Sequence, residues 1–498
     1  MRKTVILSWV FILITAILYA QKTGKPMNII FILSDDHRYD FMGFMNKVPG
    51  LQTPGMDKMA NEGLHLRNAF VTTALCSPSR ASILTGQYAH THTVVDNDAP
   101  LPGDLKFFPQ YLQSLGYKTG FMGKWHMGNT GDQPQPGFDK WISFKGQGRY
   151  KGNLLNVDGK PVQTGKTDYI TDVLTDNAIE WMNGVKGGPF CLYLSHKGVH
   201  AEFEPADRHK GKYKDLPVMC PPSMYLTAND SSKNYGVFAA PKSSVNYRDI
   251  PRWVRDQRFS WHGVDYMYHG QIPFDEFYHL YLETLLAVDE SVSRVLDWVE
   301  KNGLKENTLV VYMGDNGFLF GEHGLIDKRN AYEESMRVPM LMWAPGMIKP
   351  KSVVEHMVMN IDLAPTFLEL AGMKSKPSQM QGISMVPLLK GENPSWRNKI
   401  FYEYYWEAAF PQTPTIFCVR GDRYKYIFNY GIWDINELYD LKEDPNEMNN
   451  LVRNKEMSSI GLELRKQLFE WMEETKGLQI PLKKQQGIRY DNKFNGTY

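Results

Sequence analysis

Cysteine is scarce in this chain: four residues in 498, at positions 76, 191, 220 and 418. That is too few for a disulfide scaffold, so the fold must rest on a hydrophobic core. Net charge is nearly absent. Lys and Arg number 56 against 55 Asp and Glu, a formal charge of +1. This excludes capture of a polyanion such as nucleic acid by bulk field, and any anion has to be gripped by particular side chains. Apolar runs of membrane-spanning length are also missing. Val5 to Ala20, broken only by Ser8 and Thr15, follows Arg2 and Lys3 and falls short of the ~20 residues of a span. It reads as a secretory signal peptide over residues 1–20, so the protein is expected to be exported, periplasmic or secreted. No Cys immediately follows the run, so a lipid-anchored form is not indicated, and no stable membrane anchor is expected after its removal. There is no internal repeat or low-complexity tract.

What the chain does have is material for a large core, 42% hydrophobic and 13% aromatic residues, at a length beyond one ordinary compact domain. Several apolar runs read as buried strands. Met27 to Leu33 ends in Asp35-Asp36, Tyr117 to Met122 in Gly123-Lys124-Trp125-His126, and Pro189 to Ser195 in His196-Lys197-Gly198-Val199-His200. Thr308 to Met313 ends in Gly314-Asp315-Asn316-Gly317, and Val338 to Ala344 is a further strand. Helical spacing marks Phe107–Gly116, Thr167–Met182, Phe274–Asn302, Asp362–Gly372 and Ile460–Thr475. Beyond the polar segment Gly391 to Asn398, short strands are expected at Ile400–Tyr405, Thr415–Val419 and Tyr424–Asn429.

In open α/β sheets ligands bind at the carboxyl ends of strands, where these runs deliver their polar residues. Two adjacent carboxylates there are costly without a cation, which makes Asp35 and Asp36 metal-ligand candidates; alone they would read as turn or cap residues. Asp315-Asn316 between glycines would ordinarily be a turn. Four oxygen-bearing side chains from two strand ends suit a hard divalent cation such as calcium. The stretch Asp207 to about Pro273 is rich in Arg and aromatics, among them Arg248, Arg252, Arg255, Arg258, Trp261, His262 and His269. It suits stacking on sugar rings, or else is a solvated surface excursion.

The rest is organised around Cys76-Ser77-Pro78-Ser79-Arg80, followed by small residues up to Gly86. Pro78 suits the first turn of a helix and Gly86 its end. Cys76 then lies where free amides and the helix dipole favour an anion, with Arg80 one turn on. The spacing Cys76-x-Pro78-x-Arg80 resembles the signature of type I sulfatases of the alkaline-phosphatase superfamily, particularly exported bacterial carbohydrate sulfatases. Asp35-Asp36, Gly123-Lys124-Trp125-His126, Asp315-Asn316 and the Lys328 segment fall in the family's order.

The resemblance implies an α/β fold with a large mixed, mostly parallel sheet sandwiched by helices, and a small C-terminal antiparallel sheet subdomain with a helix. The catalytic domain would span 21–395 and the subdomain 396–498. It implies oxidation of Cys76 to formylglycine by a formylglycine-generating or anaerobic maturase enzyme. Calcium would be held by Asp35, Asp36, Asp315, Asn316 and the modified Cys76. Arg80, Lys124 and Lys328 would bind sulfate, with Arg329 the substitute for Lys328. His200 would protonate the leaving oxygen, with His196 as competitor, and His126 would help release sulfate. The implied substrate is a sulfated carbohydrate of glycosaminoglycan or mucin type. A phosphatase or phosphonate monoester hydrolase of the same superfamily, or a sulfated-glycan-binding protein with unmodified Cys76, are the alternatives.

Overall fold

The computed structural model describes residues 26–128, 131–225, 249–258, 260, 262–264 and 272–481. The expected signal peptide, and Arg248, Trp261 and His269 of the aromatic and basic stretch, lie outside them. A ten-stranded sheet runs in the order Ser352–Val354, Leu64–Leu66, Met340–Trp343, Thr308–Gly314, Asn28–Ser34, Phe190–Ser195, Lys118–Lys124, Lys140–Phe144, Leu154–Val157, Lys160–Gln163. The five strands from Thr308–Gly314 to Lys140–Phe144 are mutually parallel, so their carboxyl ends share one edge. The apolar run at 338–344 supplies Met340–Trp343, which lies antiparallel to Thr308–Gly314.

Strand alternation divides the core into two. Ile29, Phe31 and Leu33 pack on one side of the sheet with Val311 and Tyr193, while Ile30 and Ile32 pack on the other with Val310 and Leu192. Burial on both faces is why these strands read as continuous apolar runs. The second side is covered by the 28-residue helix Phe274–Lys301 together with Ile170–Val185 and Pro54–Glu62. The first side is covered by Cys76–Thr85, Phe108–Ser114 and Leu363–Leu370.

A second, antiparallel sheet of Lys399–Tyr404, Thr415–Gly421, Tyr424–Tyr430 and Glu437–Asp440 is backed by helix Ser458–Glu474. Its Tyr402, Phe417 and Leu438 join the core that holds Leu33. Buried Lys425 of this sheet pairs with Glu333 (2.8 Å) and Glu447 (2.7 Å), and Arg420 also reaches Glu333 (3.2 Å). Among the described residues of the stretch 207–273 there are a 3-10 turn at Pro222–Tyr225 and a helix at Arg252–Gln257. Among the described residues no helix is long and apolar enough to cross a membrane.

Candidate active site

Strand register builds the site. Ser34 stands opposite Gly314 in the parallel pair, so Asp35-Asp36 and Asp315-Asn316 leave the sheet side by side, and the Asp36 amide donates to Asp315 Oδ1 (3.0 Å). The neighbouring strands deliver Lys124 and Ser195. Gly123 has φ +123°, and a Cβ there would fall 1.7 Å from the Ser195 carbonyl oxygen, so only glycine allows that approach. Asp36 (φ 55°) and His126 (φ 58°) are left-handed without being glycine. Such conformations persist where surrounding structure enforces them, and they cluster at functional sites.

Helix Cys76–Thr85 lies on the same edge, and every residue in it is buried. Its small polar side chains find partners inside. Ser79 accepts from Asn360 (3.0 Å), and Ser82 bonds Thr72 and His92 (3.0 Å each). Gly86 closes the helix at φ 68°, its amide donating to the Ser82 carbonyl (2.8 Å). Cys76 at the N-terminus is thereby fixed against the strand ends.

Around Cys76 Sγ stand Asp35 Oδ1 (3.4 Å) and the Lys328 ammonium (3.3 Å). Lys124 grips Asp35 and Lys328 grips Asp36. Arg80 donates to Asp315 through Nε (3.0 Å), with a terminal nitrogen in ion-pair contact (2.8 Å), and to the Lys124 carbonyl (2.7 Å) and Ser195 Oγ (2.6 Å). Three cations therefore face three carboxylates, all buried. Burial opposes ionisation of Asp35, yet the charges of Lys124, Arg80 and Lys328 hold it well below the usual carboxylate range. Burial pushes Asp36 up to about 7 against the pull of Lys328, with Asp35 and Asp315 adding to the rise. Burial also pushes the Cys76 thiol up to about 12, so as a plain cysteine it is a protonated, poor nucleophile.

The residues fit a hard cation. Ligand atoms of Asp35, Asp36 and Cys76 lie within 4.8 Å of one another. Asp36 Oδ2 and Asn316 Oδ1 are buried oxygens without a hydrogen-bond donor among the described residues. Unpaired buried acceptors of this kind are what an oxygen-ligated divalent ion satisfies.

The two candidate histidines are separated. His200 Nε2 lies 3.8 Å from Asp36 Oδ2, whereas His196 Nε2 hydrogen-bonds Ser291 of the long helix (3.0 Å). Burial, then the Lys124 charge, lowers the pKa of both His200 and His126 far below the ordinary value, so both rings are neutral beside these cations. Arg329 turns away from Cys76 to Glu407 (2.9 Å) and lies over the Phe410 ring (3.9 Å). Of the basic stretch, Arg252 and Arg255 are exposed, but Arg258 is buried and bonds the Met224 carbonyl, and His262 pairs with Asp327 (3.1 Å). These last two are committed internally and are not offered to a sugar. Ser195, Tyr150 and Lys197 also border the site and carried no sequence signal of their own. Tyr150 donates to the His200 carbonyl (2.7 Å), and its place beside His200 follows from tertiary packing alone.

Known proteins resemble this chain over most of its length. The Sulfatase family model matches residues 27–373, and the model for the C-terminal part of N-sulphoglucosamine sulphohydrolase matches 321–474. An N-acetylglucosamine-6-O-sulfatase of Bacteroides thetaiotaomicron is 34% identical over 91% of this chain and 87% of its own length. The human N-acetylglucosamine-6-sulfatase is 28% identical over 89% and 84%. A solved structure of a protein in complex with its substrate D-glucosamine-2-N,6-O-disulfate superposes with TM-score 0.78 at 33% identity, covering 92% of this chain and all of that one. A phosphonate monoester hydrolase of Agrobacterium radiobacter, 20% identical with TM-score 0.68 over 90% of this chain and 96% of its own, shares the fold.

Proposed function

This chain belongs to the sulfatase family, and from that premise we propose that it hydrolyses the 6-O-sulfate ester of a glucosamine-type sugar from a glycosaminoglycan or related glycan. The observation that carries the reaction class is the convergence of Arg80, Lys124 and Lys328 with Asp35, Asp36 and Asp315 around Cys76 at a helix N-terminus. The choice of sugar rests on the likeness to the glucosamine-directed relatives.

In this reading Arg80, Lys124 and Lys328 hold the sulfate oxygens in a site where their charge is preorganised and dry. Asp35, Asp36, Asp315 and Asn316 would hold calcium, whose charge offsets that of the sulfate, and maturation of Cys76 to formylglycine would supply a hydrated aldehyde as nucleophile. His200, on the Asp36 side, donates a proton to the departing sugar oxygen, and an anion in the site raises its pKa toward that task. His126 accepts the proton of the remaining hydroxyl at residue 76. Residues 21–395 carry this machinery, 396–498 form the C-terminal subdomain, and the mature protein acts after export.

The test is sulfate release from N-acetylglucosamine 6-O-sulfate, its galactose counterpart and the matching phosphate esters, with Cys76→Ala as control. Release from the glucosamine sugar alone, abolished in the variant, is expected. Phosphate release in preference to sulfate would refute the reading. Chelation is expected to lower the melting midpoint of the unmodified protein as well as the activity, and added calcium to restore both.

A further inference from the structure

Lys197 is a cation of the site that the roles above do not use. The residues that follow it are laced to the Asp35 loop. The Asp35 amide donates to the Gly198 carbonyl (2.9 Å), Val199 to the Asp35 carbonyl (2.7 Å), and His200 to the Lys197 carbonyl (3.0 Å). The residue is 5% exposed. Among the described residues its ammonium makes no ion pair or hydrogen bond and lies over the Tyr150 ring, 4.7 Å from the centroid. Lys124 and Lys328, by contrast, each hold an aspartate.

A buried ammonium without a carboxylate is unfavourable, and contact with an aromatic face compensates only part of the loss of water. Burial first, then the Lys124 charge, lowers the Lys197 pKa to about 8, against the opposite pull of Asp35, Asp36 and Cys76. An anion from outside the chain would relieve this strain. Its position says which part of a substrate could supply one. Lys328 stands 3.3 Å from Cys76 Sγ, whereas Lys197 forms no ion pair or hydrogen bond with Cys76 or the three aspartates, though it lies within their field. It sits instead over Tyr150, whose hydroxyl anchors the His200 carbonyl (2.7 Å). Through Tyr150 it neighbours the backbone of His200, the residue assigned above to the leaving group, and the anion argued for here is therefore one carried by the sugar.

We propose that Lys197 is a specificity-determining residue that binds a second anionic group on the sugar bearing the scissile ester, so that the preferred substrate is doubly charged. The inference rests on the sulfatase reading above. It also explains why the ammonium is presented without an internal partner: a permanent carboxylate would compete with the ligand.

The experiment is calorimetric binding to the folded protein with unmodified Cys76. The probes are N-acetylglucosamine 6-O-sulfate, D-glucosamine-2-N,6-O-disulfate and N-acetylglucosamine 3,6-di-O-sulfate. The wild-type protein is expected to prefer at least one disulfate over the monosulfate by tenfold or more. Lys197→Met should remove that preference and Lys197→Arg should keep most of it, with melting midpoints compared to detect misfolding. No preference in the wild type, or equal losses on all three sugars in Lys197→Met, overturns the proposal. Sulfate release by the aldehyde-bearing enzyme judges the wider reading separately. Lys197-dependent binding without release refutes hydrolysis, and release without Lys197-dependent preference refutes this inference alone.

Discussion

His196 and His200 are four residues apart on one loop, and their partners assign them different work. His196 spends its Nε2 on Ser291, which also bonds Thr175 (2.7 Å), so it ties the loop to the long helix. His200 faces Asp36. His200→Asn is therefore expected to lower kcat roughly 10²-fold or more. His196→Asn should mainly lower stability, by about 1–3 kcal/mol for a broken buried bond. Steady-state kinetics beside thermal melts read the two apart, and the reverse pattern would exchange the assignments. Cys76 gives a second prediction at this scale. Fully buried, with a thiol pushed to about 12, it should resist iodoacetamide at pH 8 in the folded, unmodified protein and react once the protein is unfolded in urea.

At the scale of elements, the strands that build the site were readable because they are buried on both faces, as Asn28–Ser34 and Thr308–Gly314 are. The strands Leu154–Val157 and Lys160–Gln163 were not. They are short, and Lys160–Gln163 is the edge strand and exposed throughout, so no apolar run marks them. Gly123 shows what a single position can decide for an element. The motif Gly-Lys-Trp-His displays it, but only the packing against Ser195 explains it. Gly123→Ala should separate the Lys118–Lys124 and Phe190–Ser195 strands at their carboxyl ends, costing well over about 2 kcal/mol and displacing Lys124. A melting midpoint within a degree of wild type would contradict this.

For the whole molecule, the second sheet is joined to the first domain by buried charge. Lys425→Met would leave Glu447 without a cation and Glu333 with Arg420 alone, and is expected to cost about 3–5 kcal/mol, read by urea unfolding. His90 adds a pH-dependent contact at the same junction, pairing with Glu403 (2.8 Å) and bonding the Thr475 carbonyl (3.2 Å). Burial opposes its charge, but Glu403 raises its pKa above the ordinary 6.5. Because the folded value exceeds the unfolded one, this stabilisation is complete below about pH 6.5 and is lost as pH rises through the raised value. Urea unfolding at pH 6 and pH 8 should show the loss in the wild type and a smaller one in His90→Gln.

The sequence by itself determined the class of fold and offered most of the candidate site's charged residues, though not Ser195, Tyr150 or Lys197. Buried strands need unbroken apolar runs, and an anion-binding helix start needs its few particular residues in a short local pattern, so both are written in consecutive positions. Only the tertiary structure decided which histidine faces Asp36 and which cations find carboxylates. It also turned Arg258 and His262 inward and left Lys197 over Tyr150. Those outcomes depend on contacts between residues distant in the chain, such as Lys328 with Asp36 or Arg80 with Asp315. Strand register and packing create them, and no local periodicity encodes them.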